Sequence, residues 1–347
     1  MLNIFENQTM KKNSLIIFTL FIFAHLASTA QIANEIVFTS EPENLGENVN
    51  SEQIDGEPKI TPDGKRLYFC RRKDPNNIGG ADTGADIWYS DLQNDGTWGK
   101  AKNLGEPVNN KSFNQVIGIR SDGNAMIVRG EYDKPANIYI TKKTGGKWSK
   151  PKPMEIDGFY LNNLGITYGI SVDFKVLVIS ADWENSIGRE DLYISFRKED
   201  YGWTKPIHTG DAINSKDKEI YPVLANDGVT MYFASRGHEG YGNYDIFVSR
   251  RLDDTWTNWS KPKNMGNKIN TPKFDSDFTV DSKSEYAYIS SDKIPGREFD
   301  IFRIKLPKEA KPNPVVIVTG KVMNQKDEKP IVATVTYQNM TTGKSLG

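Results

Sequence analysis

The sequence predicts an all-β protein, a five-bladed β-propeller closed by an N-terminal strand, and three observations support this prediction. An Asp turn followed by an apolar strand recurs five times, at spacings of 51 to 59 residues. A second motif, Asp-Ile or a close variant followed by aromatic or aliphatic residues, recurs in phase with the first. In four of the units, a tryptophan precedes Lys-Pro or a close variant. Units of about 50 residues with short strands and tight turns are typical of propeller blades.

Each unit is predicted to contain four antiparallel strands. The first precedes the Asp turn, the second follows it, the third begins at the Asp-Ile motif, and the fourth carries the tryptophan. Glycine in the turn supplies a positive φ without steric cost, so Asp-Gly favours a tight hairpin. The turn residues are Asp63, Asp122, Asp173, Asp227 and Asp281, the third strands begin at Asp86, Asn137, Asp191, Asp245 and Asp300, and the tryptophans are Trp98, Trp148, Trp203 and Trp259.

The fifth unit lacks a tryptophan strand after Ile304. The segment before the first unit, residues 35–46, aligns with residues 256–266 of the fourth unit, and both contain an Asn-Leu-Gly-like motif. We therefore predict that the N-terminal segment supplies the missing strand and closes a propeller over residues 35–306. Such a closure removes open sheet edges.

Residues 1–30 have the pattern of an export signal. Lys11 and Lys12 precede an apolar run over residues 15–24, and small residues follow up to Ala30. The run is shorter than the ~20 residues of a membrane-spanning helix, which favours a cleaved signal over an anchor. We expect an exported protein of the periplasm, or one that is peripheral to the outer membrane at most. After the propeller, we predict a linker over residues 307–314 and a partial β-domain over residues 315–347.

Composition excludes several functional classes. The 44 Lys and Arg against 45 Asp and Glu give a net charge of −1, which argues against a nucleic-acid partner. The only cysteine, Cys70, lies in a predicted apolar strand, and there are three histidines, so no disulfide framework, cysteine-based zinc site or catalytic triad is predicted. The sequence gives no signal for a metal or a cofactor.

The repeated motifs resemble the WD40-like β-propeller repeats of exported bacterial proteins, which are related to the TolB-type propeller. Four motifs that recur in phase over residues 57–304 carry the resemblance. It extends to the N-terminal part of OmpA-family and peptidoglycan-associated proteins, in which a carboxypeptidase-regulatory-like β-domain follows the propeller. Residues 315–322 and 329–337 are similar to the start of that β-domain. The peptidoglycan-binding domain of those proteins has no counterpart here, so that activity is not carried over.

Long, variable loops between the second and third strands of each unit point to a binding function. Loops on a rigid scaffold usually carry binding residues, and Arg, Tyr and Trp are frequent anchors at interfaces. We therefore predict a binding scaffold without enzymatic activity, which uses its long-loop face to bind an envelope protein or a glycan. The candidate anchors are Arg71, Arg72, Tyr132, Trp183, Arg189, Arg236, Tyr241 and Arg297.

The alternative is a glycan-active enzyme, a glycoside hydrolase, with acids near the propeller axis. Such enzymes use paired carboxyl groups as acid and as base or nucleophile. The candidates for this chemistry are Glu57, Glu219, Asp275 and Asp277, which lie at or near the first strands. Their offsets from the turn Asp differ by up to four residues, so we expect them to be staggered in depth and not to converge on one open cleft. Structural hydrogen bonding is the competing interpretation of each acid.

Overall fold

The computed structural model describes residues 35–133, 138–159, 165–200, 202–315, 322–327, 329 and 331. The predicted export signal and Asn137 lie outside the described residues. The chain divides into a unit that extends to Val315 and a unit that begins at Val316. In the second unit, the Ile331 N–H donates to the Val322 carbonyl (3.1 Å). No helix in the described part of the chain has the length and apolar character needed to cross a membrane.

Five antiparallel sheets confirm the five-bladed propeller. Each blade runs from an inner first strand to an outer fourth strand, and the innermost strands surround a central channel. The strands are β1 (Glu43–Asn44); β2 (Ile54–Ile60), β3 (Arg66–Arg72), β4 (Asp86–Asp91) and β5 (Lys102–Asn103) in blade one; β6 (Gln115–Ile119), β7 (Ala125–Arg129), β8 (Ile138–Thr144), β9 (Lys147–Trp148) and β10 (Lys152–Met154) in blade two; β11 (Thr167–Ile170), β12 (Val176–Ala181), β13 (Asp191–Phe196) and β14 (Ile207–His208) in blade three; β15 (Glu219–Leu224), β16 (Thr230–Ser235), β17 (Asp245–Arg250) and β18 (Lys263–Asn264) in blade four; and β19 (Phe278–Val280), β20 (Tyr286–Ser291) and β21 (Asp300–Lys305) in blade five.

The N-terminal strand β1 completes blade five, as the sequence predicts. It pairs antiparallel with β21, so that Glu43 lies opposite Arg303, and the two side chains form an ion pair (2.9 Å). Upstream, the Ile36 N–H donates to the Asn264 carbonyl (2.8 Å). Ile36 and Phe38 are buried in the apolar cluster that blades four and five share. The chain start therefore closes the ring by strand pairing and by apolar burial.

The tryptophans lie just before the fourth strands, which corrects the prediction that the fourth strands carry them. Trp98 forms an isolated bridge with Leu92 at the end of the third strand, and β5 begins only at Lys102. Its ring packs edge-on against Tyr288 of blade five (centroids 6.1 Å apart). The physical reason is that the large indole fills the space between adjacent twisted sheets, where it contributes more burial than on the outer edge.

In four blades of the described structure, a buried asparagine after the fourth strand bonds back to the third strand of the same blade. In blade one, the Asn109 amide accepts from the Ile87 N–H and donates to the Ile87 carbonyl (both 2.9 Å). The chain reaches this asparagine through a turn in which Gly105 has a φ of 75°. The same paired hydrogen bonds recur in three more blades, at Asn50, Asn214 and Asn270. The asparagine thus satisfies a third-strand N–H that lies beyond the end of the short fourth strand.

The Asp of the Asp-Ile motif has a structural role at the start of the third strand. In blade one, Asp86 accepts from the Asn103 amide (2.6 Å) and from the Ile78 N–H (2.7 Å). In blade five, the Asn44 amide donates to the Asp300 carboxylate in the same way (2.9 Å). In blade three, His208 replaces the asparagine and contacts Asp191 (Nε2···Oδ2 2.9 Å). This histidine is therefore part of a repeated structural contact.

The segment after β21 lies against blade four. The Tyr232 hydroxyl donates to the Ala310 carbonyl (2.5 Å), and the Arg250 guanidinium donates to the Lys311 carbonyl (2.6 Å). Farther along, the Asn313 N–H donates to the Asp227 carboxylate (2.8 Å). Residues 310–313 are thus attached to the outer part of the propeller at three points.

Removal of the closing strand tests the ring. A chain that begins at Glu47 lacks the pairing of β1 and the burial of Ile36 and Phe38, which together contribute about 3–6 kcal/mol. We expect a large fall in the melting temperature or aggregation, measured by circular dichroism and light scattering. A chain that begins at Glu35 is the matched control and should melt cooperatively. Equal melting temperatures would contradict closure by this strand.

Candidate functional site

Two of the predicted acids, Glu219 and Asp275, and Asp55 of blade one serve the loops that enter the first strands. Each carboxylate accepts the backbone N–H of the residue four positions earlier, at 2.6–2.9 Å: Ser51 for Asp55, Ser215 for Glu219 and Thr271 for Asp275. In blade two, Asn114 accepts from Asn110 in the same way (2.9 Å). Because an amide replaces the acid in one blade, this position requires an acceptor rather than an acid. Glu219 and Asp275 are therefore loop caps.

Glu219 is fully buried, and both of its carboxylate oxygens are occupied. Oε1 accepts from the Ser215 and Ser235 hydroxyls (2.6 and 2.7 Å), and Oε2 accepts from the Ser215 N–H (2.9 Å). Burial raises its pKa, while the serine hydrogen bonds lower it. The arrangement leaves no oxygen of Glu219 directed at a ligand.

The expected stagger of Glu57 and Asp277 is wrong, because the fifth turn is displaced by two residues. The Asp281 N–H donates to the Tyr286 carbonyl (3.2 Å), which matches the bond from Thr61 to Arg66 in blade one (2.8 Å). Asp281 therefore occupies the first turn position, where Thr61 stands, and not the position of Asp63. This shift brings Asp277 level with Glu57.

Glu57 and Asp277 meet at the axis, on the long-loop side of the channel. The Glu57 N–H donates to Asp277 Oδ2 (3.0 Å), and the Ser290 hydroxyl donates to the same oxygen. Glu57 has a φ of 56° at a bulge in β2. A non-glycine residue in this region is strained by about 1–3 kcal/mol, and such strain often marks functional sites.

The carboxylate of Glu57 is buried, and half of it has no partner. Oε1 accepts from the Arg72 guanidinium (2.9 Å), whereas Oε2 is buried without a hydrogen-bond partner in the described residues. Burial raises the pKa of Glu57 and the charge of Asp277 raises it further, although the Arg72 charge opposes both effects. Burial and the neighbouring Asp277 charge therefore both favour the protonated form of Glu57.

Lys59 and Tyr221 complete a group that we call the axial cluster: Glu57, Lys59, Arg72, Tyr221 and Asp277. Burial lowers the pKa of Lys59, and the charges of Asp277 and Glu57 partly offset this. Tyr221 occupies the bulge of blade four that corresponds to Glu57, with a φ of 50°, and its N–H donates to Thr167 (2.7 Å). Burial raises the pKa of its hydroxyl, as do the charges of Glu57 and Asp277.

Aromatic rings lie beside the axial cluster. The Arg72 guanidinium lies over Phe113 (5.3 Å to the ring centroid), and Tyr221 packs edge-on against Phe274 (6.5 Å between centroids). Phe274 in turn packs against Tyr244 (4.9 Å). Phe113, Tyr221 and Phe274 are each only partly buried. The site therefore combines charged groups with accessible ring surface.

On the other side of Lys59, the channel contains a cavity of about 60 Å³ that is lined mainly by aliphatic side chains and by backbone. All five first strands contribute to its lining, including Ile60, Ile117, Ile170 and Val223. Gly118 and Gly169 permit the narrow spacing: a Cβ at Gly169 would lie 2.2 Å from the Pro222 carbonyl oxygen. Lys59 therefore has mainly aliphatic surroundings on one side and acids on the other.

Among the eight predicted loop anchors, only Arg72 belongs to the axial cluster. The predicted exposure of Arg71 is wrong: it is buried, pairs with Asp55 (2.6 Å) and lies over Trp88 (4.3 Å). The reason is that a loop crossing between blades leaves backbone carbonyls that a guanidinium can satisfy, and Arg71 donates to the Val49 carbonyl (2.6 Å).

The other six anchors lie around the outer part of the long-loop face. Four have polar contacts: Arg236 with Asp217 (2.7 Å), Arg297 with Asp300 (3.0 Å), Tyr132 with the Val108 carbonyl (2.6 Å) and Tyr241 with Glu35. Trp183 packs edge-on between Phe159 and Tyr193, with both pairs of centroids 5.4 Å apart. Arg189 is exposed. Their proposed role in partner binding stays a prediction.

The sequence analysis missed Lys59, Tyr221 and Arg129 as candidates. Arg129, at the end of β7, donates to the Ile166 carbonyl (2.9 Å) and lies close enough to Tyr221 to affect its hydroxyl electrostatically. One signal was available for Lys59, since it is the only basic residue in a first strand that also carries Asp55 and Glu57. Nothing in the sequence indicates that these residues meet, because they come from three different blades.

No sequence-family model matches the chain, and the search of curated proteins gives no match. Solved structures share the fold. A GH62 α-L-arabinofuranosidase from Podospora anserina has 11% identity and a TM-score of 0.50, over 79% of this chain and 97% of that protein. A GH43 β-xylosidase/α-arabinofuranosidase from a compost microbial metagenome has the same identity and TM-score, over 80% and 97%. TolB from Acinetobacter baumannii aligns at 13% identity with a TM-score of 0.46, over 76% of this chain and 57% of TolB.

These comparisons overturn the prediction that the chain is not an enzyme. That prediction had two grounds. Loops on a propeller scaffold usually serve binding, and the candidate acids were expected not to converge on one open cleft. Glycoside hydrolases of two families match this fold over 97% of their length, so the fold gives no reason to exclude catalysis. The meeting of Glu57 and Asp277 removes the second reason.

Asp275→Asn tests the loop-cap role through pH. Burial raises the pKa of Asp275 to about 6. Because the folded state binds this proton more tightly than the unfolded state, Asp275 costs stability as the pH rises from about 4 to above 6, by about 2–3 kcal/mol. An asparagine carries no charge and can accept from Thr271, as Asn114 accepts from Asn110 in blade two.

We expect the unfolding free energy of the wild type to fall relative to Asp275→Asn between pH 4 and pH 7, measured by urea denaturation. Asp82→Asn, at an exposed loop position, is the control. Parallel pH profiles for the wild type and Asp275→Asn would show that the site does not hold a proton in the folded state.

Proposed function

We propose that this protein binds a glycan at the axial cluster, on the long-loop face of the propeller. The supporting observation is the concentration of unused hydrogen-bonding capacity there. Glu57 Oε2, the Tyr221 hydroxyl and the Lys59 ammonium have no hydrogen-bond partner among the described residues. Buried polar groups are normally satisfied, so groups left open together at a channel mouth suit a polar ligand.

Glycans match these groups chemically. Sugar hydroxyls both donate and accept hydrogen bonds, as required by a carboxylate, an ammonium and a phenol together. The C–H faces of sugar rings pack on aromatic rings, which Phe113, Tyr221 and Phe274 supply. The GH62 and GH43 proteins of similar fold are named for activity on arabinofuranosides and xylosides. Pentose-containing oligosaccharides are therefore the first probes to use.

We also propose an exported location in the cell envelope. The charged, apolar and small-residue pattern of residues 1–30 and the resemblance to envelope propeller repeats support it. Fractionation of cells that express the full chain, followed by N-terminal sequencing, tests this. A cytosolic protein with an intact N-terminus would overturn it.

Binding is tested by calorimetry with xylo- and arabino-oligosaccharides. We expect Arg72→Ala and Tyr221→Ala each to weaken binding by about tenfold or more, since both residues lie in the centre of the site. Arg236→Ala, on the outer part of the same face, is the matched control and should bind like the wild type. Failure of every glycan to bind, or equal binding by all variants, would overturn the proposal.

Hydrolysis of a glycosidic bond is a second candidate function, favoured by the pairing of Glu57 with Asp277. A Glu57 carboxyl that holds its proton could donate it to the leaving oxygen as the glycosidic C–O bond breaks. A water molecule would add to the sugar carbon, and the Asp277 carboxylate would accept its proton. Two carboxyl groups in unlike environments are the arrangement this reaction requires.

Release of reducing sugar tests the hydrolysis. We expect Glu57→Gln and Asp277→Asn each to lower the rate by about 100-fold or more, because each removes one proton-transfer step. Glu219→Gln retains an acceptor at the loop cap and should keep activity close to wild type, with thermal melting used to check the fold of all three. Binding without any hydrolysis would overturn this candidate and leave glycan binding intact.

A further inference from the structure

The axial site has more positive than negative groups when Arg129 is counted with it. Lys59 and Arg72 interact electrostatically with Glu57 and Asp277, and Arg129 interacts with Tyr221. Only Arg72 forms an ion pair there, with Glu57 (2.9 Å). Neither Lys59 nor Arg129 has a carboxylate within ion-pair distance among the described residues. Two cations at the site therefore lack a direct counterion.

Glu57 and Asp277 already accept hydrogen bonds from groups within the protein. Asp277 Oδ2 accepts from the Glu57 N–H and from the Ser290 hydroxyl. Glu57 Oε1 is bonded to Arg72, and burial raises the pKa of this carboxyl, which weakens its value as a counterion near neutral pH. The positive charge of Lys59 and Arg129 is thus only partly balanced from within the protein.

Lys59 is unusual in its surroundings. Lys59 lines the channel cavity, together with glycine and aliphatic residues of other first strands. Burial lowers its pKa, because a buried cation is costly unless it is paired. A ligand that brings a negative charge would reduce that cost.

We infer that the glycan bound at the axial cluster is acidic, with a sugar carboxylate of the uronic acid class that interacts with Lys59 and Arg129. This inference rests on the proposed function, since it names the substrate class for the same site. The two positive residues lie on blades one and two, and Tyr221 of blade four lies near Arg129 and the acids. A carboxylate among them would accept from an ammonium, a guanidinium and a phenol.

The test uses a matched pair of xylo-oligosaccharides, one bearing a glucuronic acid branch and one unbranched, titrated into the full chain by calorimetry. We expect the acidic sugar to bind about tenfold more tightly or better, and this preference to shrink as salt rises from 50 to 500 mM. In Lys59→Met, the affinities for the acidic and the neutral sugar should lie within about twofold of each other, so that the preference is lost.

Controls separate a lost charge from a lost fold. Lys263→Met, on an outer strand, should keep the preference, and Arg129→Gln should reduce it as Lys59→Met does. Thermal melting checks each variant. Equal binding of acidic and neutral sugars overturns the inference and leaves the proposed function standing. If neither sugar binds, but a peptide with a free carboxylate does, both proposals fail.

Discussion

The buried asparagine that follows the fourth strand in four of the described blades is the contact on which the other features depend. At Asn50, Asn109, Asn214 and Asn270, one side-chain amide takes both the N–H and the carbonyl of a third-strand residue. Without it, one buried third-strand N–H in each of these blades would lose its partner, at about 1–3 kcal/mol. The third-strand carbonyl would keep a second bond, from a backbone N–H near the fourth strand. The contact also fixes the point from which the chain crosses inward to the next blade. The depth of the following first strand is set there.

The loop caps are the carboxylates that accept the backbone N–H of the residue four positions earlier. They hold the loops that lead from the asparagines to the axis. Asp55 lies five residues after Asn50 and holds the entering loop through Ser51, and Asp275 does the same through Thr271, five residues after Asn270. Two residues beyond Asp55, the chain reaches the strained bulge of Glu57. The loop caps are thus the reason that a residue with positive φ can be held at the channel mouth.

Ring closure and the axial cluster depend on each other. Asp277 belongs to blade five, whose outer strand comes from the N-terminal segment, and it accepts from Glu57 of blade one. The contact between first and last blades is therefore the place where the two ends of the propeller meet at the axis. Acids, cations and aromatic rings are concentrated at this junction, while the opposite half of the channel is lined mainly by aliphatic side chains and by backbone. The channel therefore presents charged and aromatic groups at one end and mainly aliphatic groups at the other.

The sequence by itself determined the blade number, the in-phase strands and the closure by residues 35–46, because these follow from local turn chemistry and from a repeat that is visible in one dimension. It also identified Glu57 and Asp277 as candidates. It gave the wrong relative depth for these two acids. The turn at Asp281 is displaced by two residues, although its motif matches those of the other units. It also failed on Arg71, whose burial depends on a loop from the preceding connection. The tertiary structure alone decided which side chains meet at the axis, because Glu57, Arg129, Tyr221 and Asp277 come from four blades and only the curvature of the closed ring brings them together.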